Sequence, residues 1–189
     1  DTKVIEEAGR ILKRGGLVAF PTETVYGLGG DALNAESSGK IYAAKGRPSD
    51  NPLIVHIADM EALPSIVKEI PGAAYSLAEK FWPGPMTMIF QKADRVPLAT
   101  TGGLSTVAVR MPSHPVARAL IEAAGGYIAA PSANLSGRPS PTEAKYVIED
   151  LQGRVDMILD GGPAKIGLES SIIDLTEQVP TILRPGYIT

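Results

Sequence analysis

The sequence predicts an α/β fold in one domain, and three observations carry that reading. Apolar runs of strand length (LVAF at 17–20, LIVHI at 53–57, MTMIF at 86–90 and TVAVRM at 106–111) alternate with stretches of helical apolar spacing. The joints between them are polar and rich in Gly and Pro. The chain is 189 residues long, with 44% hydrophobic and 21% charged residues, which suits a single globular unit with a real core. The alternation is too irregular for a purely parallel, doubly wound sheet, so a mixed sheet is expected.

Val4, Ile5, Ala8, Ile11 and Leu12 share one helical face and Gly15-Gly16 follow them, so the chain opens with an amphipathic helix that feeds LVAF. PTETVYGLGGD at 21–31 reads as a loop whose glycines permit turns and close approach to a ligand. A helix over 38–45 places Lys45 near its carboxyl end and Arg47 just beyond, on the proline-stiffened KGRPSDNP segment. Beyond LIVHI, the pattern predicts a helix from about Pro64, another over 73–82, and a break at Pro83-Gly84-Pro85 before MTMIF. Residues 92–105, with a second glycine pair, read as a long mobile flap. TVAVRM alternates so that Thr106 and Arg110 face outward while the valines face in. A helix over 115–124 leads to YIAA and then to PSANLSGRPSPTE, where Ser140-Pro141-Thr142-Glu143 fits a capping box for a helix ending at Leu151. MILD, then SSIIDL after the Gly-rich 161–169 loop, and finally TILRPG close the chain.

Composition excludes several chemistries. With no cysteine there is no disulfide, thiolate nucleophile or thiolate metal site, which suits a reducing compartment. Two histidines rule out a His-rich metal centre. No apolar run reaches the ~20 residues of a membrane helix. A net charge of −3 argues against a broad nucleic-acid surface. There is no G-x-x-x-x-G-K-[ST] loop, and GLGGDA at 27–32, which formally fits a dinucleotide fingerprint, starts six residues after the LVAF strand instead of at a strand-to-helix turn.

What remains is a set of cations on defined elements, Lys45, Arg47, Arg110 and Arg184, beside loops rich in hydroxyl and amide groups: Thr22 and Thr24, Ser132 and Asn134, Ser170 and Ser171. Together they describe an anion site, although each hydroxyl or amide residue taken singly also suits a turn or a cap.

PTETVYGL, KGRPSDNPL, RMP, PSAN, ESSIIDL and ILRPG, in this order, resemble the YrdC/Sua5 family, and the resemblance spans nearly the whole chain. Its hallmark, K-x-R followed far downstream by S-x-N, is here Lys45-Gly46-Arg47 and Ser132-Ala133-Asn134. The resemblance implies one YrdC-like catalytic domain over 1–189, a twisted mixed sheet flanked by helices around a deep basic cavity, with no C-terminal Sua5 domain in this chain. It implies synthesis of L-threonylcarbamoyladenylate from L-threonine, bicarbonate and ATP, with Mg²⁺ on the nucleotide. Pyrophosphate is released, and the adenylate passes in the cytoplasm to a tRNA-modifying transferase that acts on adenosine. Carried over by position, Thr24, His56, Arg110 and Ser170 would hold threonine, and Arg47, Asn51, Thr106, Ala130, Ser132, Asn134, Ser140 and Arg184 would hold ATP. Lys45 would face the carbamate and α-phosphate, with Lys45 and Arg47 as the catalytic cations, and no residue is expected to bind metal directly. A second class stands beside this one, a non-catalytic RNA-binding module of the same fold. The acidic net charge and the lack of aromatic stacking clusters count against it, and they leave direct tRNA binding with only weak support.

Overall fold

The computed structural model describes residues 1–46 and 51–188. Nine strands form one mixed sheet in the order β7-β1-β2-β6-β3-β5-β4-β8-β9: β1 Val18–Phe20, β2 Gly27–Asp31, β3 Ile54–His56, β4 Met86–Gln91, β5 Thr106–Arg110, β6 Ile128–Ala130, β7 Met157–Ile158, β8 Ser171–Asp174 and β9 Thr181–Arg184. Pairs β1/β7, β3/β5 and β4/β8 are parallel and the rest antiparallel.

Alternation along the strands divides the core between the two faces of the sheet. Val18 and Phe20 join Ala8, Ile11 and Leu12 of α1 (Thr2–Lys13) and Ala117, Leu120 and Ile121 of α4 (Pro115–Ala123) on one face. Leu17 and Ala19 join Ile41 and Tyr42 of α2 (Ala35–Lys45), Ala74 and Ala78 of α3 (Gly72–Phe81) and Val147 and Leu151 of α5 (Ala144–Leu151) on the other. The expected helix–sheet–helix layering of one domain is therefore present.

Local sequence explains the helix ends that matter to the site. Asn34 caps α2, its side chain accepting from the Glu36 N–H at 2.9 Å. Gly46 ends that helix at φ 64°, a left-handed conformation that suits glycine and leaves Lys45 as the last helical residue.

Five expectations are corrected. The segment 27–31, read as loop, is strand β2. A Cβ on Gly29 would lie 2.9 Å from both Ile128 Cγ2 and the Phe20 ring, so glycine is the residue that lets three strands close up here. The helix expected from Pro64 is a 3-10 turn over Met60–Ser65, because Asp59 caps it from upstream by accepting from Ala62 N at 3.1 Å. The capping box at 140–143 does not form. The Pro141 and Thr142 carbonyls accept from Tyr26 N and Ala164 N, holding that stretch extended until Glu143, and α5 starts at Ala144. The 92–105 segment is packed down rather than hung as a flap: Val96, Thr100 and Thr101 are buried, and Thr100 Oγ1 donates to Ala32 O at 2.8 Å. Arg110 does not face solvent; it is buried, because the sheet carries layers on both faces.

Candidate functional site

Strand directions bring the chemistry to one end of the sheet. In register, His56 lies opposite Arg110 and Arg110 opposite Thr87, while Met86 lies beside Ser171 and Ile172 beside Arg184. The 22–27 segment and the loop before β8 form the walls of a cleft of about 170 Å³. Thr24, His56, Ala130, Arg110, Ser132, Ser170 and Arg184, all singled out from sequence, line it together.

Arg110 anchors one half. Its Nη1 donates to Thr24 Oγ1 at 3.0 Å, its Nη2 to Glu23 Oε1 at 2.5 Å, and its Nε to Gly84 O at 3.4 Å. Glu23 is itself locked, with Oε2 accepting from both N–H and O–H of Ser113 at 2.9 Å. Burial pushes the Arg110 pKa down while Glu23 opposes the shift, and a guanidinium keeps its charge in either case. Three of its five N–H donors thus have protein partners, leaving two suited to a ligand carboxylate.

His56 beside it is uncharged at neutral pH. Burial, and after it the charge of Arg110, pulls its pKa down to about 3. Nδ1 lies 3.0 Å from Ile54 O, so in the neutral ring that nitrogen carries the proton. The Phe20 ring meets the imidazole edge-on at 6.1 Å. Ser170 shares a 2.7 Å hydroxyl contact with Thr87 on β4.

The other half is built around Lys45, which is buried and donates to Ser132 O at 2.5 Å and Asn134 Oδ1 at 3.2 Å. Ser132 Oγ donates to the same Asn134 oxygen at 2.6 Å, and Asn134 Nδ2 donates to Leu135 O and Arg138 O. Lys45 and Asn134 therefore sit directly behind Ser132, and the K-x-R and S-x-N motifs meet through 87- and 89-residue separations.

Arg184 at the rim pairs through Nη1 with Glu169 Oε2 at 2.7 Å, while its Nε and Nη2 donate to Ser170 O. Ser140 donates to Glu169 Oε1 at 2.8 Å. Among the described residues, the two arginines lining the cleft, Arg110 and Arg184, each face a glutamate, which offsets their charge.

The remaining expected residues stand apart. Thr106 begins β5 opposite Gln91, at the end of the strand away from Arg110, and is not on the cleft wall. Asn51 is exposed, its carbonyl accepting from the Tyr42 hydroxyl, and its neighbour Pro52 lines the cleft instead. Arg47 lies outside the described residues. Sequence reasoning missed Glu23, Glu169 and Tyr26. Tyr26 Oη donates to Gly162 O at 2.7 Å and accepts from Gly161 N at 3.1 Å, tying the loop before β8 to the wall. The available signal was an acidic residue embedded among hydroxyl residues, PTET and LESS.

A model of the Sua5, YciO and YrdC proteins, described as "Telomere recombination", matches residues 10–186. The chain belongs to the Sua5/YciO/YrdC family. It is 56% identical over 182 residues to a threonylcarbamoyl-AMP synthase of Pyrococcus abyssi, covering 96% of this chain and 54% of that protein. It is 54% identical over 186 residues to the Bacillus subtilis protein of the same name, covering 98% and 54%. The crystal structure of P. abyssi Sua5 complexed with L-threonine superposes with a TM-score of 0.97 at 55% identity, covering 98% of this chain and 55% of that one. The chain thus spans about half the length of these Sua5-family relatives, and across that half it shares the fold of the P. abyssi structure.

Proposed function

We propose that this chain is an L-threonylcarbamoyladenylate synthase, a nucleotidyltransferase that joins L-threonine, bicarbonate and ATP with release of pyrophosphate. The observation that supports it most is that one cleft is lined by a buried guanidinium with donors to spare, Arg110, and by Ser132, behind which Lys45 and Asn134 are buried and hydrogen-bonded to it. The relative complexed with L-threonine supports the amino acid as a substrate, and the spare donors of Arg110 suit its carboxylate.

In this reading Arg110 takes the threonine carboxylate, with Thr24 and Ser170 beside it, and neutral His56 adds no positive charge near the amine. The amine and bicarbonate give the carbamate and one water. A carbamate oxygen then attacks the α-phosphorus as the bond to pyrophosphate breaks. Charge grows on the phosphoryl oxygens, and Lys45, fixed by two acceptors, is the preorganised group to offset it; Arg47 joins it as the second cation. Ser132, Asn134, Ser140, Ala130 and Arg184 complete the nucleotide side. No protein nucleophile is required, because the carbamate itself attacks, and holding the reactants in line can lower the barrier by up to about 7 to 11 kcal/mol.

Mg²⁺ enters with the nucleotide. Among the described residues no group of three or more His, Cys, Asp or Glu side chains could hold a metal ion, and both cleft carboxylates face arginines. The ion would be carried by phosphate oxygens and water, the usual manner for a nucleotide-bound Mg²⁺. Among the described residues no helix is long and apolar enough to cross a membrane, and a chain without cysteine suits the cytoplasm, where a tRNA-modifying transferase would receive the product.

The test is mass detection of the adenylate after incubation with ATP, threonine and bicarbonate. Product is expected only when all three are present. RNA binding without adenylate would replace the enzyme with a binding module.

A further inference from the structure

Among the described residues, the two arginine–glutamate pairs at the cleft differ in kind. Arg110 and Glu23 are 5% and 10% exposed, and Glu23 has both oxygens engaged by Arg110 and Ser113, so that pair is a permanent part of the wall. Arg184 and Glu169 are each 39% exposed. Glu169 spans two residues assigned to the nucleotide, taking Arg184 Nη1 with Oε2 and the Ser140 hydroxyl with Oε1.

The main chain beneath Glu169 is held independently of its carboxylate. Ile166 N and Gly167 N donate to the Glu23 and Thr24 carbonyls at 3.0 and 2.9 Å, and Tyr187 N donates to Glu169 O. The Glu169 side chain can therefore swing out of the cleft without moving the loop that carries it. An ion pair as exposed as this one is weak and screened by salt. A polyphosphate brings several charges to the same donors, with geometry that a guanidinium accepts in bidentate fashion.

We infer that Glu169 is an internal stand-in for phosphate: its carboxylate occupies Arg184 and Ser140 until the polyphosphate of the nucleotide displaces it, and Glu169 thereby sets the nucleotide affinity of the site. This rests on the reading of the cleft as an ATP site. The competition works in one direction only. Glu169 acts against binding, in contrast to a glutamate that holds an arginine ready for its ligand, and removing it therefore strengthens the complex.

The experiment compares wild type with Glu169→Gln and Glu169→Ala by calorimetric titration with ATP, with inorganic pyrophosphate and with L-threonine. Glu143→Gln serves as a control for net charge, since Glu143 pairs with Lys145 at 3.9 Å, while Arg184 and Ser140 make their side-chain bonds to Glu169 and Ser170. Both Glu169 variants are expected to bind ATP and pyrophosphate about three- to tenfold more tightly at low salt. That gain should shrink as salt rises, with threonine affinity and melting temperature unchanged and the control like wild type. Two results overturn the inference. One is unchanged or weaker anion binding in both Glu169 variants; the other is an equal gain in Glu143→Gln, which would mark a general field effect. Tighter pyrophosphate binding in proteins that ignore ATP would uphold the stand-in role and remove the ATP reading instead.

Discussion

Replacing Arg110 separates what the buried pair does for the fold from what it does for threonine. Arg110→Ala leaves Glu23, with a side chain 10% exposed, facing a cavity in place of a cation, although Ser113 still donates to its second oxygen. Breaking a buried pair from one side costs about 3 to 5 kcal/mol, because the surviving charge stays desolvated and unpaired. For a chain of this size that is a fall in melting temperature of roughly 6 to 20 °C. The double variant Arg110→Met/Glu23→Gln removes both charges while keeping side-chain volume, and such replacements are typically neutral or stabilising. It should regain most of the lost melting temperature. Threonine binding should remain lost in both proteins, since the two spare N–H donors are gone, while ATP binding persists in the double variant. Scanning calorimetry and isothermal titration read the two effects separately. Near-wild-type threonine affinity in the refolded double variant would refute the assignment of Arg110, and a single variant as stable as wild type would refute the account of the pair.

Lys45→Ala should fold and keep part of its ATP and threonine affinity, yet form adenylate about 10² to 10³ times more slowly, measured as pyrophosphate release at saturating substrates. If Lys45 served only the dipole of α2, turnover would be ordinary and the cost about 0.3 to 1 kcal/mol of stability. His56 titrates at about 3 in the fold against roughly 6.5 when unfolded, so the unfolded chain takes up a proton that the native chain refuses as pH falls between those values. Its contribution to stability is complete above pH ~6.5 and is lost progressively toward pH ~3. His56→Gln should accordingly flatten the melting-temperature profile over that window, and an unchanged slope would deny the burial of a neutral ring. Gly29→Ala should destabilise by about 1 to 3 kcal/mol by pressing a methyl group onto Phe20 and Ile128, and chemical denaturation would show it.

Most helices and strands were legible because they depend on neighbours in sequence: α1 from its apolar spacing, α2 from the Lys45-Gly46 end, β3 and β5 from their apolar runs. The rest depended on partners far away. Nothing local marks GLGGD as a strand, since its glycines answer to the ring of Phe20 and to Ile128, a residue about a hundred positions on. The Ser140 capping box was sound chemistry overruled by the distant N–H groups of Tyr26 and Ala164, which claim the backbone that a helix would have needed. In the site, hydroxyl residues and cations announced themselves by type. Glu23 and Glu169 did not, because a carboxylate in a polar loop looks solvated until the sheet order sets an arginine against it. The flap reading of 92–105 failed for the same reason, as the anchor for Thr100 is Ala32.

The order of the strands also decides whether the chain can be divided. Cut between β4 and β5, the first part would own β1, β2, β3 and β4, and the second β5 to β9, yet across the sheet the two sets interleave, with β6 inserted between β2 and β3 and β5 between β3 and β4. Neither piece could build a continuous ladder, and each would expose unpaired edges at several places. His56 would go with one fragment and Arg110 with the other, although they stand side by side. The two pieces would have to thread through each other before either showed a trace of the cleft, so its appearance marks the completion of the entire sheet, and a split version of this domain would reassemble all at once or fail to reassemble.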